Sequence, residues 1–174
     1  MYSLKMTDRH VYLYNHQTKE LSKEPIPSKT IKNLKIYNVP KAIKILAKLT
    51  DKIGYSLFKT KINILVSNKL TPAEYFLYDY VARHVPNIKY RFIKEESLLE
   101  NKKEIIIWDE YLTINGVLTN VKQTSNYNKR LSKECILIGI SDKYNEIQEK
   151  LSKPFKTTFL EYETGEVTLF ERVR

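Results

Sequence analysis

Glycine is scarce in this sequence, with four residues in 174. Loops that wrap phosphate with bare backbone amides need several glycines close together, so there is no Walker-type loop to be found. A single cysteine, Cys135, excludes an internal disulfide; set in the apolar run "CILIGI", it reads as a buried thiol and points to a reducing, cytoplasmic compartment. No stretch approaches the roughly 20 apolar residues of a membrane span. The opening "MYSLKMTDRHVYLY" has no long apolar core or small-residue cleavage site, so neither export by a standard signal nor membrane insertion is expected. The three histidines, His10, His16 and His84, share no metal-ligand spacing on one element, and no Ser/His/Asp arrangement has a workable spacing. The expectation is therefore no metal, no cofactor and no conventional catalytic residue.

What is abundant is positive charge and tyrosine. The formal charge is +10 and the isoelectric point about 9.5, a balance that favours acidic partners such as nucleic acid or anionic lipid, although a Lys-, Asn- and Ile-rich chain can also reflect genome composition. Hydrophobic residues make up 42% of the chain, enough for a folded protein of one domain or two very small lobes.

Strands are expected at about 2–6, 10–14 and 20–24, where β-branched and aromatic residues cluster, forming a meander. "NVPKAIKILAKLTDKI" then carries Ala42, Ile45, Leu46, Leu49 and Ile53 at helical spacing, with Lys41, Lys44, Lys48 and Lys52 on the opposite side; Asn38 can cap this helix and Pro40 suits its first turn. "KINILV" is a strand. Thr71, Pro72 and Glu74 supply an N-cap, an N1 proline and the returning carboxylate of a capping box for a helix that runs to about His84, and "IKYRFI" resumes as a strand. The order is βββαβαβ.

It then starts again. "EIIIWDE", "YLTING" and "VLTNVKQ" suggest a second meander, followed by a helical segment near 126–132, the strand "ECILIGIS", and the helix "DKYNEIQEKL" capped by Ser141. A strand "KTTFLEY", a turn at "ETGE" and a last strand "EVTLFERV" close the chain. The reading divides the protein into units at 1–100 and 101–174, together one α/β body in which the same order of elements occurs twice without repeated sequence.

Two successive βββαβαβ units resemble the plan of the actin-like ATPase superfamily, which has a ribonuclease H-like core, and three stretches look like the bacterial rod-shape (MreB-like) actins. "ILVSNKLTPAEYFLYDYVARHVPNIKYRFIKEESLLE" resembles that family's strand, "PSG" turn, helix and the strand into its "EEP" segment; "EIIIWDEYLTINGVLT" stands in place of the second phosphate loop, "DIGGGTTEV"; "CILIGISDKYNEIQEKLSKPF" is similar to the adenosine loop and helix, "LTGGGALLRGL". The resemblance covers most of the chain and implies a nucleotide cleft between two lobes, with the outer subdomains missing or minimal here. The motifs themselves depart from the family. Where it has "DLGT" this chain has "SLKMTD"; Asp109 matches the second loop's aspartate but is followed by Glu110, Tyr111 and Leu112; at the adenosine loop only Gly139 remains. Thr7, Glu96, Asp109 and Gly139 are thus expected as vestigial nucleotide-site positions.

Asp109 with Glu110 reads either as a catalytic or magnesium-binding pair or as a charged turn, since adjacent strand residues face opposite ways. Glu95 and Glu96 read either as nucleotide-proximal or as acids at a helix start. The stripe Lys41, Lys44, Lys48 and Lys52, opposed between 29 and 61 only by Asp51, is a candidate partner surface or a solvated face. Tyr75 and Tyr78, on a helix apolar most of the way round, are a candidate protein interface or core. The 157–173 strand pair is expected to end in a charged open edge.

Together these readings give a compact, degenerate actin-like protein that does not hydrolyse nucleotide. It would act through a protein partner or self-association in a bacterial cytoskeletal, cell-shape, division or envelope assembly, in the cytoplasm or at the inner membrane surface. The alternatives are a basic nucleic-acid-binding module and a reduced ATPase or phosphotransferase using Asp109 and Glu96.

Overall fold

Strict alternation in the first residues sets the architecture: in "YSLKM" Leu4 and Met6 point one way, Ser3 and Lys5 the other. The computed structural model describes residues 1–53, 59–67, 69–100, 104–108, 111–114, 117–120, 136–140 and 167–174. They fall into two units, Met1–Glu95 and Glu96–Arg174.

In the first unit β1 (Tyr2–Met6), β2 (His10–Asn15) and β3 (Glu20–Pro25) form an antiparallel meander. A small hairpin follows, β4 (Ile31–Lys32) and β5 (Lys35–Ile36), then helix α1 (Val39–Asp51), β6 (Thr60–Val66), helix α2 (Pro72–Arg83) and β7 (Ile88–Lys94). The sheet order is β3-β2-β1-β6-β7, with β6 parallel to both β1 and β7. The expected βββαβαβ order is present; the hairpin is an addition that the sequence reading did not anticipate.

Both helices start as their local chemistry dictates. Asn38 Oδ1 accepts the Lys41 N–H at the head of α1. At α2, Thr71 Oγ1 accepts from the Glu74 N–H while Glu74 Oε2 accepts from the Thr71 N–H, and Pro72 needs no donor there. Leu4, Met6, Val11, Leu13, Ile62, Ile64 and Val66 form the sheet face that packs with Ala42, Leu46 and Leu49 of α1 and Tyr78, Val81 and Ala82 of α2. At about 1.5–3 kcal/mol for each large side chain removed from water, this layer is the main cohesion of the unit.

The opposite face holds Ser3, Lys5, Tyr12, Tyr14, Asn63 and Leu65, all buried as well. The middle of that face is therefore closed to solvent as well, and Lys5 sits in it, 2% exposed.

The second unit begins with a single 3-10 turn, Glu95–Leu98, which Glu95 of the first unit opens. β8 (Glu104–Trp108), β9 (Tyr111–Ile114) and β10 (Val117–Asn120) again run as an antiparallel meander, and β11 (Ile136–Ile140) lies parallel to β8, in the order β10-β9-β8-β11. A short helix, α3 (Thr168–Glu171), follows near the end. It overturns the expected final strand and its open edge: Leu169, Phe170 and Val173 are buried at helical spacing, and that burial outweighs the strand preference of "VTLF". Cys135, the segments expected as helices near 126–132 and at 142–151, and the strand expected at 156–162 lie outside the described residues.

Candidate functional site

Groups that act on a ligand in an open α/β sheet gather beyond the carboxyl ends of its parallel strands. In the first unit these are the ends of β1, β6 and β7, where Thr7, Ser67 and Glu95 follow the last strand residues.

Thr7 is fully buried and closes the β1–β2 turn on itself: its N–H donates to the His10 carbonyl at 2.9 Å, its hydroxyl donates to the same oxygen at 2.9 Å, and that hydroxyl accepts the His10 N–H at 3.1 Å. Next to it, Asp8 accepts two backbone bonds from the hairpin turn, from Asn33 N–H to Oδ2 and from Leu34 N–H to Oδ1, both 2.8 Å. Asn33 and Leu34 both have left-handed backbones, φ 52° and 60°. Two successive residues in that conformation aim their amides into one concavity, which is an anion-binding arrangement, and the chain fills it with its own carboxylate. A leucine in this region is disfavoured by about 1–2 kcal/mol; burial of Leu34 to 2% exposure and its two hydrogen bonds offset the strain.

The second of those bonds comes from Tyr78 of α2, whose hydroxyl donates to the Leu34 carbonyl at 2.7 Å. Burial, and then the negative charges of Glu95, Asp8 and Glu74, push the Tyr78 phenol far above its ordinary range, so it stays a donor. Tyr78 is 2% exposed. It serves the core and cannot be an interface residue, which corrects the sequence expectation for that position.

Beyond β7, Glu95 is fully buried and pairs with Lys5 of β1, Nζ to Oε2 at 2.5 Å, across 90 residues of sequence. Its second oxygen, Oε1, has no hydrogen-bond partner among the described residues. At Ser67 the side-chain oxygen accepts the Lys69 N–H at 3.2 Å, shaping the turn before α2. Lys5, Asp8 and Glu95 are thus charged groups that the fold brings to this end of the sheet and pairs internally. Sequence reasoning passed over Lys5 and Asp8. The available signal was a lysine set between Leu4 and Met6 within a strand.

The other expected positions are separate. Glu96 is partly exposed in the 3-10 turn of the second unit. Gly139 lies inside β11, opposite Ile107, and not in a loop: the aliphatic run "ILIGI" carries the parallel ladder through it to Ile140, opposite Trp108. That corrects its placement as a loop remnant. Asp109 and Glu110 lie outside the described residues. No group of three or more metal-ligating side chains occurs among the described residues.

On α1, Lys41 and Lys44 are exposed, whereas Lys48 and Lys52 both bind Glu24 of β3, Lys48 at 2.9 Å. The hydrogen bonds from Lys52 and Lys48 hold the Glu24 carboxyl below the usual range. Two of the four lysines in the stripe are therefore engaged by one acid just outside the 29–61 stretch, which offsets one of their two charges. On α2 the exposed aromatic residues are Tyr75, Phe76 and Tyr80. Tyr75 leans on Phe92, while Phe76, Tyr80 and His84 follow one another at four-residue spacing along one side.

No family model matches the sequence, and neither does any curated protein. Solved structures do match in fold. The ethanolamine utilization protein EutJ from Carboxydothermus hydrogenoformans aligns over 99% of this chain and 88% of its own, with TM-score 0.60 and 9% identity. A Bacteroides thetaiotaomicron VPI-5482 protein described as having an actin-like ATPase fold and unknown function aligns over 98% and 93%, with TM-score 0.53 and 11% identity. ADP-bound MreB5 of Spiroplasma citri aligns over 68% and 49%, with TM-score 0.43 and 12% identity. The chain has the actin-like ATPase fold. At these identities the likeness extends to the fold and no further. No helix among the described residues is long and apolar enough to cross a membrane.

Proposed function

We propose that this protein is a degenerate actin-like module that does not hydrolyse nucleotide. It works through protein contacts, as a scaffold or by self-association, in a bacterial cytoskeletal, cell-shape, division or envelope assembly. One observation carries the reading: at the carboxyl end of β1, where this fold class would receive phosphate, Thr7 closes its own turn and Asp8 fills the hairpin's amide concavity. A phosphate there would meet a carboxylate and find the backbone donors already taken. At the same end the buried Lys5 ammonium is paired with Glu95 Oε2.

The contact surface in this reading is the exposed strip Phe76, Tyr80 and His84 with Tyr75 beside it, since aromatic side chains bury much area for little lost freedom. Lys41 and Lys44, exposed on α1, bias the protein toward an acidic partner or the inner membrane surface.

Calorimetry with ATP and magnesium, together with sedimentation of the same sample, tests this. The expected result is no heat of binding at millimolar nucleotide and an association state that ATP does not alter. Saturable ATP binding lost on mutation of Glu96 or Asp109 would support the reduced-ATPase reading instead. Retention on DNA or RNA that collapses with moderate salt and with Lys41→Glu/Lys44→Glu would support the nucleic-acid reading.

A further inference from the structure

At the opposite, amino-terminal end of β6 and β7 the first unit has a cavity of ≈ 370 Å³ with Lys61, Asn63, Lys89 and Arg91 in its lining. The parallel register sets Lys61 beside Lys89 and Asn63 beside Arg91. Residues two apart share a face of a strand, so the four side chains mark a rectangle of roughly 5 by 7 Å. Like charges paired across strands repel, and neither Lys61 nor Lys89 has an ion pair among the described residues.

Asn63 adds an independent sign. It is 4% exposed. Arg91 Nε donates to its Oδ1 at 2.6 Å, and because a guanidinium only donates, the amide is fixed with Nδ2 turned the other way. Nδ2 is a buried donor with no hydrogen-bond partner among the described residues. Two cations, Lys61 and Lys89, thus stand beside a buried amide donor, Asn63 Nδ2, that has no acceptor among the described residues.

We propose that this cavity is an anion site for a phosphomonoester. Such a group carries nearly two negative charges and three acceptor oxygens, enough to span both lysines and reach toward the Asn63 amide, whereas a carboxylate brings one charge and two oxygens. The rest of the cavity leaves room for the organic part that bears the phosphate. The ligand is either a small phosphate ester or a lipid headgroup of the same chemistry. The site lies at the other end of the strands from Thr7, Asp8 and Glu95, so it is independent of whether nucleotide binds there.

The test is titration of the isotope-labelled full chain with inorganic phosphate, following the Asn63 side-chain amide. A second arm measures co-sedimentation with phosphatidic acid vesicles against neutral phosphatidylcholine vesicles. The expected result is a saturable Asn63 shift, with affinity at least tenfold weaker in Lys61→Gln and Lys89→Gln and unchanged in Lys69→Gln. Vesicle binding with the same dependence identifies a headgroup; phosphate binding without it identifies a free ester. If the wild-type Asn63 amide does not saturate and vesicles bind independently of Lys61 and Lys89, the site does not exist.

Discussion

Replacing Lys5 with methionine tests the buried pair at the heart of the first unit. Methionine keeps the length and apolar stem of lysine but strands the Glu95 carboxyl at full burial, with neither oxygen engaged by its former partner. Removing one member of a buried ion pair costs about 3–5 kcal/mol, a large share of the 5–15 kcal/mol of about that order that holds a typical domain. The single tryptophan, Trp108, lies in the second unit, so fluorescence would report on the wrong part of the chain. Native-state hydrogen exchange at the Leu4 and Ile64 amides reads the sheet directly. At about 1.4 kcal/mol per factor of ten, the cost becomes exchange faster by roughly 10² to a few times 10³. The double variant Lys5→Met/Glu95→Leu removes both charges and is expected to recover most of the protection, because apolar replacement of a whole buried pair is often neutral or better. Loss below about tenfold in the single variant, or a double variant as poor as the sum of the singles, would refute the account of this pair as a mutually dependent buried unit.

Tyr78→Phe deletes a donor to the buried Leu34 carbonyl and is expected to cost about 1–2 kcal/mol in urea unfolding, with no effect on any partner binding. Asp8→Ala frees the Asn33 and Leu34 amides and is expected to cost about 2–3 kcal/mol; nuclear magnetic resonance should show those two amides shifting most. Glu24 gives the pH dependence. Its folded pKa is depressed by Lys52 and Lys48, so the stability it contributes is present above the ordinary carboxylate range and is lost as pH falls through the lowered folded value. Glu24→Gln should therefore flatten the acid limb of a thermal-melt series and leave the region above neutrality parallel to wild type; an unchanged acid limb would exclude the triad.

The elements whose instructions are local were legible. Asn38 and Pro40 marked the start of α1, and Thr71, Pro72 and Glu74 marked that of α2, because a cap is written within four residues. The hairpin at 31–36 was not, since its turn uses Leu34 in a left-handed backbone that turn chemistry assigns to glycine or asparagine. What permits it is Asp8, 26 residues earlier, and Tyr78, 44 residues later. The Lys5–Glu95 pair is equally invisible at short range. The lysine stripe was legible as a helix face, whereas the pairing of Lys48 and Lys52 was not, because Glu24 lies on a strand that only the fold brings alongside. For α3 the signal was present, with Leu169 and Val173 four apart, but strand propensity was weighed above it.

The two ends of the first unit's parallel strands therefore differ in a way that bears on function. At the carboxyl end the donors are spent: the hairpin amides are held by Asp8, the Thr7 hydroxyl closes its own turn, and the Lys5 ammonium is taken up by Glu95. At the amino end two lysines stand side by side and a buried amide lacks an acceptor among the described residues. Unmet donors mark where an external anion gains most, since a group already paired must first be unpaired, at a cost that a new contact only returns. In this chain that criterion points away from the carboxyl ends of the parallel strands, where open α/β sheets generally bind ligands, and toward Lys61, Asn63 and Lys89. A ligand bound there would brace β6 against β7, which predicts slower hydrogen exchange at Ile62 and Tyr90 in phosphate than in chloride at equal ionic strength; equal rates would mean that phosphate does not bridge the two strands.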